Sequence, residues 1–126
     1  MSVDASEMGT ECVLLQDGHP ISYGSNAFNN SQKNFFPIER EMMAIVHACK
    51  KFHNYIYGQD EVVVLSDHQP LERIVKKSLN EAPRRLQAML LEIQKYQLKV
   101  KYVPGKSLCI SDTRSRAPVF DADEKS

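Results

Sequence analysis

The alternation of apolar and polar residues predicts a sheet whose most buried strand lies near the middle of the chain. Residues 62–65 are four consecutive apolar residues, three of them β-branched, which is typical of a strand covered on both faces. The strand must end in residues 66–70, because Ser-Asp-His-Gln-Pro is turn chemistry. Asp67 is therefore expected at a strand tip, where open α/β sheets gather ligands and catalytic groups. A structural role explains an acid at position 67 equally well: Asp67 is then the cap of the next helix, which is predicted over residues 71–78.

Shorter apolar runs predict the other strands. Residues 11–16 are expected to form a strand, which turn residues 17–20 connect to a further strand over 21–25. With the opening segment that ends near Asp4, these strands form an antiparallel meander. Residues 26–34 are rich in Asn and Ser, which favours a loop. Late in the chain, Leu98, Val100 and Tyr102 alternate with Lys99 and Lys101, which indicates a half-buried strand.

The first long helix is predicted to begin at Pro37, run to about Tyr57 and end at Gly58. Two acids, Glu39 and Glu41, lie in its first turns, where the helix dipole favours them. At about 100° per residue they fall on opposite flanks of the apolar stripe, so either can reach toward the sheet but not both. The stripe itself is Ile38, Met42, Ile45, Val46, Cys49, Phe52 and Ile56.

A second amphipathic helix is predicted to follow the break at residues 79–83 and to run to about residue 96. Its inward residues are Leu86, Met89, Leu90, Ile93 and Tyr96, with Arg84, Arg85 and Lys95 toward solvent. A short helix over 111–116 carries Asp112 near its start. Residues 119–126 are predicted to be a disordered acidic tail.

Length and composition bound the protein to a single domain. A chain of 126 residues with 42% hydrophobic and 25% charged residues is typical of one globular unit. No apolar run is long enough to span a membrane and no targeting signal is seen, so a cytoplasmic or nuclear location is expected. Cys12, Cys49 and Cys109 are widely spaced and odd in number, which favours small buried hydrophobes over disulfides or a zinc site. The four histidines are expected to be surface or packing residues.

The formal net charge of zero conceals an asymmetry. Residues 71–116 hold eleven Lys and Arg against four acids, an excess of seven positive charges that the rest of the chain balances. A basic half beside an acidic half suits a metal-dependent nuclease, although a solvated helix face explains a basic run as well.

Four acidic positions stand at element ends or in first turns: Asp4, one of Glu39 and Glu41, Asp67, and Asp112. Mg²⁺ prefers carboxylate oxygens, and two such ions about 4 Å apart can activate water and stabilise the leaving oxygen in phosphodiester hydrolysis. Because the chain has sixteen acids, this set could also arise by chance.

Four segments resemble a known family in order and spacing. They are Val-Asp-Ala-Ser at 3–6, Pro-Ile-Glu-Arg-Glu-Met-Met-Ala-Ile-Val at 37–46, Leu-Ser-Asp-His-Gln-Pro-Leu at 65–71, and Ser-Asp-Thr-Arg-Ser-Arg-Ala at 111–117. Together they resemble the ribonuclease H domain of Gypsy-class LTR-retrotransposon Pol polyproteins, over residues 3–118.

The resemblance implies a ribonuclease H-like α/β domain over 1–118, with a five-stranded mixed sheet of order 3-2-1-4-5 and helices on both faces. It also implies endonucleolytic cleavage of RNA in RNA–DNA hybrids with two Mg²⁺ ions, Mn²⁺ being an alternative, and the polymerase part of a Pol polyprotein as a partner. Carried over by position, the catalytic and metal-binding acids are Asp4, Glu41, Asp67 and Asp112. Glu39 is then a dipole-favoured or solvent-facing residue. Weaker candidates for phosphate contacts are Arg84, Arg85, Lys99 and Lys101.

The chain also departs from the family pattern. The first strand is expected to be shortened, because only three residues precede Asp4. Phe36 stands where a Ser or Thr cap is usual, Arg114 where an apolar residue is usual, and Asn26 replaces a common basic loop residue. The shortened strand, Phe36 and Arg114 motivate a second hypothesis, a catalytically inactive domesticated or decayed remnant that acts as a nucleic-acid or protein-binding module.

Overall fold

The computed structural model describes residues 1–76 and 82–105. In chain order the strands are β1 (Ser2–Ala5), β2 (Gly9–Gln16), β3 (His19–Ala27), β4 (Val62–Ser66) and β5 (Leu98–Tyr102). The helices are α1 (Pro37–Lys51), α2 (His53–Ile56), α3 (Pro70–Lys76) and α4 (Arg84–Ile93), with a short 3₁₀ turn at Gln32–Asn34.

The five strands form one mixed sheet of order β3-β2-β1-β4-β5. The first three strands are antiparallel neighbours, while β4 runs parallel to both β1 and β5. Between β2 and β3, Asp17 and Gly18 both have positive φ, as a two-residue hairpin turn requires. The predicted sheet order and mixed strand directions are confirmed.

The central strand β1 is paired on both sides. It runs antiparallel to β2 from Ser2 to Ala5 and is in register with Leu65 of β4 at Ser2. The Met1 amino group donates to the Val63 carbonyl at 2.5 Å, and the Leu65 N–H donates to the Met1 carbonyl at 2.8 Å. The opening residues therefore sit at the centre of the sheet.

One hydrophobic core joins the helices to the sheet. Helix α1 packs across β1 and β2, α4 lies beside α1, and α3 contributes the fully buried Leu71. The predicted inward residues of α4 are all buried, as are those of the α1 stripe except the partly buried Ile38. The sheet adds Val3, Cys12, Leu14, Val64 and Val100.

Several element boundaries differ from the prediction: β2 begins at Gly9, β3 begins at His19, and α4 ends at Ile93. The helix expected over 37–57 is interrupted at Phe52, whose backbone angles (φ −103°, ψ 16°) are not helical and whose ring is fully buried in the core. A second short helix, α2, then continues to Ile56. Strand β3 is longer than expected, because the predicted loop residue Asn26 pairs with Thr10 of β2.

The two described cysteines are buried thiols, as predicted. Burial raises the pKa of Cys12 to about 11 and that of Cys49 to about 12, so both stay protonated at neutral pH. Cys109, Arg114, the predicted helix over 111–116 and the acidic tail lie outside the described residues. None of the helices within 1–76 and 82–105 has the length and apolar content that a membrane span needs.

Candidate metal centre

The sheet brings two of the predicted acids to the same edge. Asp4 lies near the end of β1 and Asp67 directly follows β4. These strands are parallel neighbours in which Ser2 is opposite Leu65, so continuing the register by two residues sets Asp4 beside Asp67. The carboxyl ends of parallel strands are where a ligand site is expected in such sheets.

Helix α1 adds a third acid to this edge. Glu41 lies in its second turn, is buried, and projects from the helix that packs across β1 and β2. One ligand oxygen from each of Asp4, Glu41 and Asp67 lies within 4.8 Å of the other two. Exposure increases from Glu41 through Asp4 to Asp67, so the cluster opens toward solvent at Asp67.

Glu39 faces a different part of the molecule from Glu41, as the helical geometry predicts. Its carboxylate Oε1 accepts the Phe36 backbone N–H at 2.8 Å and Nη1 of Arg85 at 2.9 Å. Glu39 is only 6% exposed, so the solvent-facing alternative is wrong, whereas its position in the first turn of α1 fits the dipole-favoured alternative. The reason is a partner in α4 that removes the need for water around the carboxylate.

The turn after β4 is capped by Ser66. The hydroxyl of Ser66 accepts the His68 backbone N–H at 3.1 Å, whereas the carboxylate of Asp67 is exposed and makes no hydrogen bond to α3 within the described ranges. The alternative of Asp67 as a helix cap therefore loses its support. Partial burial lowers the pKa of His68, and the neighbouring Asp67 opposes that shift.

The predicted basic residues fall in two places. Arg84 and Arg85 are exposed in the first turn of α4, where Arg85 is already paired with Glu39. Lys99 and Lys101 are exposed on one face of β5, because residues two apart share a face of a strand. The fourth predicted acid, Asp112, lies outside the described residues.

A cleft beside Asp4 was not predicted. It has a volume of about 330 Å³ and is bounded by the turn between β1 and β2 and by the end of β3. Its polar lining is Asp4, Ser6, Thr10, Glu11, Ser25 and Asn26. The sequence pattern missed it because residues 26 and 27 were assigned to a loop, whereas they extend β3 along one wall of the cleft.

Residues 1–96 match the family model described as an RNase H-like domain found in reverse transcriptase. The chain is 36% identical over 119 residues to the Retrovirus-related Pol polyprotein from transposon 297 of Drosophila melanogaster, covering 94% of this chain and 11% of that protein. It is 35% identical to the corresponding polyprotein from transposon gypsy of the same organism, covering 92% and 11%. The chain thus spans about a tenth of the length of these relatives.

Solved structures share the fold at low sequence identity. The foamy viral protease-reverse transcriptase in complex with RNA/DNA hybrid matches with a TM-score of 0.64 and 22% identity, over 99% of this chain and 17% of that one. RNase H1 from the halophilic archaeon Halobacterium salinarum NRC-1 matches with a TM-score of 0.63 and 15% identity, over 82% and 83%. With the sheet order, the family match and these relatives together, the chain belongs to the RNase H-like domains of reverse transcriptases.

Proposed function

We propose that this chain is a retrotransposon ribonuclease H domain that cleaves the RNA strand of an RNA–DNA hybrid. The observation that supports this most directly is the cluster of Asp4, Glu41 and Asp67, whose ligand oxygens lie within 4.8 Å of one another. Asp112 is proposed as the fourth acid from the sequence resemblance alone. The fold family adds support, because the chain belongs to RNase H-like domains of reverse transcriptases.

The donor set fits hard divalent cations. All three side chains offer carboxylate oxygens, which Mg²⁺ prefers and Mn²⁺ accepts. Three carboxylates held close together at a partly buried site repel one another. Binding of cations would therefore reduce an electrostatic repulsion that is present in the folded protein. Two Mg²⁺ ions, when bound, would supply activation of water and stabilisation of the departing oxygen.

Each acid has a distinct part in holding the metal site. Asp4 lies on the central strand, which contacts both α1 and β4, and is the carboxylate best placed to be shared. Glu41 is buried and fixed by α1, whereas Asp67 is exposed at the side from which a substrate arrives. The three described acids therefore form a site that is buried on the side of α1 and open to solvent on the side of Asp67.

A nucleic-acid duplex is the substrate that these surroundings suit. The polar cleft beside Asp4 offers hydroxyl and carboxamide groups to a sugar–phosphate strand. Lys99 and Lys101 on β5, and Arg84 on α4, are exposed cations for phosphate contacts. Because the relatives are Pol polyproteins, we propose the polymerase part of such a polyprotein as the protein partner.

Cleavage of a labelled RNA–DNA hybrid in Mg²⁺ tests the proposal. We expect the parent chain to cleave, Asp67→Asn to lose at least about a hundredfold in rate because it removes a metal-binding charge, and Asp60→Asn to cleave like the parent. Asp60 is a matched control, since it is an exposed acid in the turn before β4. Circular dichroism of all three proteins verifies that they are folded.

Two results would overturn the assignment of catalysis. The first is cleavage by Asp67→Asn at the parent rate. The second is a folded parent that does not cleave in either Mg²⁺ or Mn²⁺, which favours the alternative of an inactive binding module. Gel shifts with hybrid and single-stranded probes at low salt then test that module directly.

A further inference from the structure

The first turn of α1 contains a buried carboxylate that the proposed metal site does not use. Glu39 precedes Glu41 by two residues, and its side chain is 7% exposed. A single oxygen, Oε1, accepts both the backbone N–H of Phe36 and Nη1 of Arg85. Charge-assisted hydrogen bonds of this kind are the stronger ones in proteins, so Glu39 ties together the segments on either side of it.

Arg85 extends this connection to a third segment. Its guanidinium lies 4.3 Å from the centroid of the Phe35 ring, which itself packs against the core. The residues just before α1, the first turn of α1 and the first turn of α4 are therefore held by one carboxylate and one guanidinium. These two contacts orient the Arg85 side chain, whereas a freely solvated arginine has no fixed orientation.

The start of α1 depends on Glu39 because the residue at the cap position cannot act as one. Phe36 has no side-chain oxygen, and its ring is 69% exposed. The Glu39 carboxylate satisfies the Phe36 N–H instead, while the Phe36 carbonyl accepts the N–H groups of Glu39 and Arg40. The backbone that begins the helix is thus fixed by the same side chain that binds Arg85.

We propose that Glu39 and Arg85 are positioning residues, which fix the first turn of α1 and thereby hold the Glu41 carboxylate in the metal site. This inference rests on the proposed function of Asp4, Glu41 and Asp67 as metal ligands. Only Arg40 separates Glu39 from Glu41 in the helix, so any shift or rotation of the first turn moves the Glu41 oxygens directly. Metal ligands must be held within about 0.5 Å of their productive geometry to bind well.

Metal binding by the full chain without nucleic acid provides the test. We would measure the Kd for Mg²⁺, and for Mn²⁺ as a second probe, by titration calorimetry on the parent, Glu39→Gln and Arg85→Gln. We expect the Kd of both variants to rise about tenfold, as is typical when the support of a ligand is removed. Omitting nucleic acid separates this role of Arg85 from any contact with a phosphate.

The Arg85→Gln variant distinguishes positioning from simple electrostatics. Removing a positive charge from the protein strengthens cation binding if charge alone matters, whereas loss of positioning weakens it. Glu92→Gln is the charge control, because Glu92 belongs to an exposed ion pair between the same two helices. Tyr96→Phe is the stability control, because it removes a buried hydroxyl contact at the other end of α4.

The outcomes are distinct. Weaker Mg²⁺ binding in Glu39→Gln and Arg85→Gln, with parent affinity in both controls, supports the positioning role. Parent or tighter affinity in Arg85→Gln overturns it while leaving the metal site intact, as does a Tyr96→Phe loss as large as that of Arg85→Gln. A parent chain that binds neither Mg²⁺ nor Mn²⁺ overturns the metal site itself, and the positioning role with it.

Discussion

Helices α1 and α4 are joined by an ion pair at each end, and the two pairs differ in their surroundings. At the amino-terminal ends Arg85 lies 2.9 Å from Glu39, whose side chain is 7% exposed. At the carboxyl-terminal ends Lys50 lies 3.9 Å from Glu92, and these side chains are 65% and 47% exposed. One pair thus has a buried, hydrogen-bonded carboxylate and a half-exposed cation, while both groups of the other pair are in water, where such pairs contribute little.

The carboxyl-terminal end is held together by aromatic packing and a hydroxyl–imidazole contact instead. The Tyr96 hydroxyl lies 2.6 Å from Nδ1 of His53, and Tyr57 stacks on the His53 ring. Beside them Phe52 is fully buried at the break between α1 and α2. A carboxylate–guanidinium pair therefore holds the end of the helix pair that carries Glu41, while packing and the Tyr96 hydroxyl hold the other end.

The largest effect on stability is expected at the packed end. Phe52→Ala removes a fully buried ring and leaves a cavity, so we expect the free energy of unfolding to fall by about 3–5 kcal/mol. Phe36→Ala removes an equally large ring that is 69% exposed, and we expect a change within about 0.5 kcal/mol. Urea unfolding followed by circular dichroism measures both. Equal losses in the two variants would contradict this expectation, because they would show that the buried ring and the exposed ring contribute equally to stability.

The two ion pairs are compared by removing the cation of each. Arg85→Met leaves the buried Glu39 without its cation, and we expect a loss of about 2 kcal/mol. Lys50→Met is expected to change stability by less than about 0.5 kcal/mol, because both side chains of that pair are exposed. Unfolding at low and high salt sharpens the comparison, since screening acts mainly on the exposed pair. A larger loss in Lys50→Met would contradict it.

A smaller effect is expected from the hydroxyl of Tyr96, which follows α4 and contacts the carboxyl-terminal end of α1. Tyr96→Phe keeps the ring but removes the oxygen that contacts His53 Nδ1 at 2.6 Å and the Cys49 carbonyl at 3.5 Å. We expect a loss of about 1 kcal/mol, typical of one hydrogen bond between neutral groups. Tyr55→Phe is the matched control, because Tyr55 is exposed on α2. A Tyr96→Phe protein as stable as the parent would show that the contact adds nothing.

Apolar periodicity predicts most of the fold because burial repeats along each element. The stripe of α1, the inward residues of α4 and the strand at residues 98–102 can be recognised from spacing alone, since each pattern is local. The interruption at Phe52 could not be predicted in this way. It coincides with a fully buried ring, whose packing depends on elements far away in sequence.

The candidate site also has features that local sequence predicts and features that depend on long-range packing. That Asp67 ends a strand follows from local sequence, and helical geometry alone shows that Glu39 and Glu41 point apart. Which of them joins Asp4 and Asp67 is decided by how α1 sits on the sheet. The burial of Glu39 cannot be predicted from local sequence, because its partner, Arg85, lies 46 residues away. The sequence pattern predicts Arg85 to be a solvent-exposed cation. Long-range pairs of this kind leave no periodic signal.

Between the two ends of α1, His47 gives the smallest predicted effect, a pH dependence of stability. Its Nδ1 lies 2.7 Å from the Thr10 hydroxyl, and burial, with a smaller contribution from Lys50, lowers the pKa of His47 below its ordinary value. The folded state therefore holds His47 neutral, while the unfolded chain binds a proton near pH 6.5, so stability is highest above that pH and falls as the pH decreases. Partial burial of His68 acts in the same direction. We expect the free energy of unfolding to fall between about pH 7.5 and pH 5, and to fall less in His47→Gln, in which the contribution of His68 remains. Identical pH profiles for the two proteins, measured by urea unfolding, would show that the link between β2 and α1 does not depend on the neutral imidazole.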